Sequence, residues 1–228
     1  ANESGKSGAW GESKPGGGFE SRYLTFVRFR SEAGAMHLPR NFVRSLSCRL
    51  LVGGLLFFGS LLGAAPQAGS AQGYLLVANK GSRALSIVDP QVGRELAVIP
   101  EDGVTGHEVI ASPDGRLAYV PIFGNAGVGK PGTDGQLIRV IDLEKRVIVA
   151  TVDFGKGMRP HCPMIHPKTG ELYVTTEIED SVSIIDPKTL KVIGAIPTGK
   201  PEAHMLALSH DGKRGYTANV GSGTISVL

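Results

Sequence analysis

A chain of 228 residues, 41% of them hydrophobic, is long enough to bury a core, and its formal charge of +3 raises the question of a polyanionic partner. The charge is unevenly placed: residues 1–71 hold eight Lys or Arg against four Asp or Glu, which leaves residues 72–228 at −1, so the excess charge is no sign of a nucleic-acid partner and none is expected. Cys162 is the one cysteine within 72–228, so no disulfide can form inside that stretch.

Residues 1–35 are rich in Gly and Ser, show little periodicity and are expected to lie outside the fold, as a disordered or non-native leader. Residues 36–71 read as a secretory signal peptide. Arg40, Arg44 and Arg49 precede the 13-residue run "LLVGGLLFFGSLL" (50–62), and the small residues Gly69-Ser70-Ala71 follow it. A membrane-spanning helix needs about 20 apolar residues, so this run is short for one. The expected mature chain, 72–228, is periplasmic or extracellular and meets the membrane only through its signal peptide.

From there the chain is self-similar. "HEVIASPDGRLAYVPI" (107–122), "HCPMIHPKTGELYVTT" (161–176) and "HMLALSHDGKRGYTAN" (204–219) align without gaps. The step from His161 to His204 is 43 residues; the step from His107 to His161 is 54, because 124–135 carries an insertion. Each unit predicts four short strands, which from His161 are "HCPMIH", "ELYVTT", "SVSIID" and "KVIGAIP". Pro-Lys-Thr-Gly, Glu-Asp and Asp-Pro-Lys-Thr mark the turns, and Asp89, Asp142 and Asp186 recur where a side chain can cap one. Strands such as "VIAS" and "RVIVATV" are apolar on both faces, as in sheets packed on both sides.

Four strands per unit of about 40–45 residues is a β-propeller signature. On "YLLVANKGSRALSIVDP", "SPDGRLAYV" and the run from "HPKTGELYVTT" to "GTISVL", nearly all of 74–228 resembles the YVTN-type β-propeller family of exported proteins, itself related to the haem-binding propeller of cytochrome cd-type nitrite reductase. The resemblance implies an all-β fold of four-stranded antiparallel blades in a ring of about seven. Against that ring the chain supplies two full and two partial blades, entering at a second strand near Gln72 and lacking C-terminal blades.

"RPHCPMIHP" (159–167) looks like one metal or redox site, but the strand reading divides it. Five residues of strand span about 16 Å, so His161 and His166 cannot share an ion bound at about 2 Å. His166 and His210 fall at turns. His161 aligns instead with His107 and His204, at the entry to the innermost strand, where equivalent positions converge on a channel mouth. These three are the candidate ligand-binding and metal residues. A His cluster there can bind a transition metal, hold a haem-type cofactor or an anionic ligand, or simply bond a neighbouring unit's backbone. The functional expectation is a ligand-binding or interaction module for a small ligand or periplasmic protein, within reach of a periplasmic redox system. The alternative is a metal- or haem-dependent oxidoreductase using the same histidines.

Other features weigh less. Cys162 should point away from His161, into a neighbouring unit. Met158 and Met205 are soft donors near the mouth. Asn79 and Asn219 end second strands there, and Glu177 and Asp180 read as loop acids that complete no calcium set. "GNAGVGK" (124–130) begins like a phosphate loop, but Pro131 stands where Ser or Thr belongs and no helix follows. The same insertion can serve as a lid over the mouth.

Overall fold

The structure, a computed structural model, describes residues 22–28, 73–106 and 108–228. The signal-peptide segment 36–71 and the candidate ligand His107 lie outside the described residues.

The described chain is all-β, arranged as antiparallel sheets in up-and-down order. The first comprises β1 (Arg22–Arg28), β2 (Gly73–Asn79), β3 (Ala84–Asp89) and β4 (Arg94–Pro100). The second comprises β5 (Ile110–Ala111), β6 (Leu117–Gly124), β7 (Asp134–Asp142) and β8 (Val147–Asp153). The third comprises β9 (Pro160–Ile165), β10 (Leu172–Thr176), β11 (Ser181–Asp186) and β12 (Lys191–Pro197). The last has three strands, β13 (Ala203–Leu208), β14 (Gly215–Asn219) and β15 (Thr224–Val227). A 3-10 turn, Glu177–Glu179, joins β10 to β11.

The first sheet departs from expectation. Arg22–Arg28, within the segment read as lacking structure, pairs with all of β2, from Arg22 opposite Asn79 to Arg28 opposite Gly73. The physical reason lies in "RYLTFVR", whose β-branched and aromatic residues suit a strand, and in the ladder groups that β2 would otherwise leave unpaired.

The sheets stack face to face. Leu76, Ala78, Leu85 and Ile87 of the first pack on Ala118, Val120, Ile122 and Ile141 of the second. Tyr119, Ile138 and Val140 on the second sheet's other face meet Leu172, Val174 and Ile185 of the third. Cys162 and Val182 meet Leu206 of the last. Sheets two and three are thus covered on both faces, which is why their strands lack polar alternation. Burying a Leu such as Leu172 contributes about 1.5–3 kcal/mol.

One turn recurs between third and fourth strands. Asp89, Asp142 and Asp186 each accept the N–H two residues on, at 2.9, 3.1 and 2.9 Å. The residue four after each aspartate, Gly93, Arg146 or Leu190, is left-handed, with φ of 63°, 61° and 56°. A bulge then follows at one register position, between Ile87/Val88, Val140/Ile141 and Ile184/Ile185. These aspartates are turn caps, as the sequence pattern predicted.

Candidate functional site

The site is built on the segments that enter the first strands of the sheets. Thr105, Arg159 and Glu202 each stand two residues before an aligned histidine, and all three are left-handed, with φ of 65°, 48° and 60°. The carbonyl of each accepts an N–H from the end of its sheet's second strand: Phe123 to Thr105 (3.1 Å), Glu177 to Arg159 (3.4 Å) and Val220 to Glu202 (2.9 Å). A non-glycine residue in this region costs roughly 1–2 kcal/mol, so the surroundings must hold it. The three side chains differ, and the shared backbone shape was therefore invisible in composition.

That entry turn aims His161 of β9 and His204 of β13 at each other. Their rings stack, with centroids 3.8 Å apart and planes inclined by 22°. Phe123, at the end of β6, meets both edge-on, at 5.3 and 6.0 Å. His161 is buried, and its Nδ1 lies 3.2 Å from the His204 carbonyl oxygen. If Nδ1 carries the proton, it donates to that carbonyl and ties β9 to β13. The His204 side chain is 15% exposed, against 1% for His161. His204 is the ring that solvent can reach.

Carboxylates flank the pair. Glu108 Oε1 lies 3.6 Å from His161 Nδ1. Burial pushes the Glu108 carboxyl up to about 7, against the opposing influence of the Cys162 thiol and His204. Glu177 Oε2 faces His204 Nδ1 at 3.3 Å, close enough for an ion pair but too poorly aligned for a hydrogen bond. The other Glu177 oxygen accepts from Arg159 Nη1 at 2.9 Å and from the Gly129 N–H at 3.2 Å. Burial works to raise the Glu177 carboxyl, but His204, Arg159 and Gly129 together hold it below the usual range. Arg159 also pairs with Asp134, donates to the Lys130 carbonyl at 2.8 Å and lies over the Phe123 ring. Nearby, Glu101 is fully buried and accepts from the Gly106 N–H, and burial pushes its carboxyl up to about 7.

The structure brings together His161 and His204 and separates both from His166. His166 follows β9 at a turn, where its Nε2 lies 2.9 Å from the Gly212 carbonyl and its Nδ1 accepts from Thr169 N–H. At the aligned turns the Ser112 and Ser209 hydroxyls bond differently, accepting the N–H five residues on, from Leu117 and Arg214. His210 is exposed. Cys162 points away from the rings: its thiol lies 3.4 Å from the Leu206 carbonyl, and burial drives it up to about 12. Met158 is buried, whereas Met205 faces solvent on β13. Asn79 and Asn219 donate across their hairpins to Ser86 and Ser226, at 2.7 and 2.9 Å, which makes them strand-end braces. "GNAGVGK" lies in the loop from β6 to β7, between strands.

Glu177 lies in the turn after β10, as its sequence reading had it, but its side chain is buried and belongs to the cluster. Glu108, Arg159 and Phe123 were missed. Their signal was position, one residue after His107, two before His161 and at the end of a second strand, and not residue type.

Among the described residues, no three His, Cys, Asp or Glu side chains are placed to hold a metal ion. Ring lone pairs lie in the ring plane, and two planes inclined by 22° and 3.8 Å apart do not meet within the ~2 Å of a metal–nitrogen bond. One ring would have to leave the stack for His161 and His204 to share an ion. No protein-family model matches the chain, and no curated protein is significantly similar to it.

Proposed function

We propose that the chain is a stretch of an exported β-propeller of the YVTN-type repeat, and that the inner-strand entries of its blades form a binding site for a small ligand. Up-and-down sheets stacked face to face support the propeller reading. The His161–His204 pair carries the binding reading, because it gathers polar groups from three sheets at one end of the inner strands. In this reading His204 meets the ligand and His161 holds its ring in place. The surrounding carboxylates favour a neutral or cationic ligand over an anion, since Asp134 and Glu177 already take up the Arg159 charge.

The test is a thermal-shift titration of the full chain with small organic amines, Zn2+, Cu2+ and haem. A probe that uses the site raises the midpoint of the wild type. The gain should vanish in His204→Ala, weaken in His161→Ala and persist in His166→Ala. Stabilisation unchanged in His204→Ala would overturn the assignment.

A further inference from the structure

The loop joining β6 to β7 does not stay on its own sheet. It leaves at Phe123, whose ring touches both imidazoles, and returns at Asp134, which pairs with Arg159. Between those points it crosses two neighbouring sheets. The Gly129 N–H donates to Glu177 at the end of β10, and the Lys130 carbonyl accepts from Arg159 at the entry to β9. A Cβ on Gly129 would lie 2.6 Å from Glu202 Oε1, at the entry to β13. The crossing closes one side of a depression of about 360 Å³ lined by Arg159, Glu177, Asp180 and Glu202.

Three features make this segment a movable part. Its residues 129–134 are exposed, and Ala126 is the member buried between its ends. Its own hydrogen bonds close it on itself, Asn125 N–H to Thr133 O at 3.1 Å and Thr133 N–H to Asn125 Oδ1 at 2.7 Å, so it can swing without losing them. At its base the Gly124 N–H donates to the Val104 carbonyl at 2.9 Å; beyond that point its fastenings outside the β6–β7 hairpin run through Arg159, Glu177 and the contact with Glu202. Glu177 also faces His204, so one carboxylate joins the fastening to the imidazole pair.

We infer that residues 125–133 form a strap, latched by Arg159 and Glu177, that opens locally to admit a ligand to the His161–His204 pair and closes over it. The inference rests on the binding reading above. Gly129 is the fitted point of the strap: its φ is +62°, and a side chain there meets the Glu202 carboxylate.

Hydrogen exchange on the full chain, without ligand, tests the strap. In the wild type the amides of 125–133 should exchange through an opening insensitive to low denaturant, while those of β6 and β7 require global unfolding. Arg159→Gln removes the latch charge. Gly129→Ala is the second variant in case the first fails to fold. Either should speed exchange across 125–133 by on the order of tenfold, and carbethoxylation of His204 with it, leaving β9–β12 unchanged. Strap amides that exchange only by global unfolding would overturn the inference. So would an unchanged strap in both variants, or faster exchange spread equally over β9–β12. No ligand enters this experiment, so its failure and the failure of the binding test are distinguishable.

Discussion

His161 and His204, 43 residues apart in the chain, stack at 3.8 Å, while His166, five residues from His161, turns its ring to Gly212 at 2.9 Å. Register separates the residues that are close in sequence and joins those that are far apart. The stability consequences differ accordingly. His161→Ala leaves Thr175 as the remaining donor to the His204 carbonyl, opens a space in a buried seam and removes a ring contact, which should cost about 1–3 kcal/mol. His166→Ala gives up the bonds to Gly212 and Thr169 at a turn that water can reach and refill, and should cost about 0.5–1.5 kcal/mol. Urea denaturation of the two variants measures the difference.

Thr175 is the hinge pin of the same seam. Its hydroxyl donates to the His204 carbonyl at 2.7 Å and accepts the Cys162 N–H at 3.0 Å. Thr175→Val keeps the shape and removes both bonds, leaving a buried N–H without a partner. The expected cost is about 1–3 kcal/mol, read from the shift in urea midpoint at constant slope.

Much of this fold was legible in the sequence, and the reason is local. In the unit from His161, the predicted strands "HCPMIH", "ELYVTT", "SVSIID" and "KVIGAIP" fall on β9 to β12, because β-branched runs between Asp-Pro and Pro-Lys-Thr-Gly turns leave little choice of boundary. The partnership of His161 and His204 was legible as an alignment. What surrounds them was not: Glu108, Glu177 and Arg159 belong to three different loops, and nothing local marks a charged loop residue as buried. Arg22–Arg28 was missed because its partner β2 lies more than 40 residues away, across a segment of different composition.

Acidity should act on the site through Glu101 and Glu108. Both carboxyls are pushed up to about 7 by burial, from an ordinary value of 4.5. The folded state therefore keeps protons that the unfolded chain has lost, and these two groups make stability fall as pH rises from about 4.5 to about 7. Glu177 is held low and acts in the opposite sense: its contribution is present above its unfolded value and is lost as pH falls. Glu108→Gln and Glu101→Gln should each flatten the decline and add about 1–3 kcal/mol near pH 8, with little effect near pH 4. Urea midpoints of wild type and variants across that range decide the matter.

Cys162 should be chemically silent while the protein is folded. Its thiol is buried against Leu206 and driven up to about 12, chiefly by burial, with the Glu108 charge adding to it. A Cys48→Ser variant isolates this thiol from the other cysteine in the chain. It should fail to react with Ellman's reagent near pH 8 until denaturant is added. Rapid labelling of the native protein would mean that the seam between β9 and β13 is open.

The central claim is that the candidate site is the meeting of His161 with His204, not the short run that contains His161 and His166. Two-dimensional nuclear Overhauser spectroscopy on the full chain, with histidine rings assigned by single substitution, tests it most directly. The account predicts ring-to-ring cross-peaks between His161 and His204, contacts from both to Phe123, and none from either to His166. A cross-peak between His161 and His166, without one to His204, would contradict it.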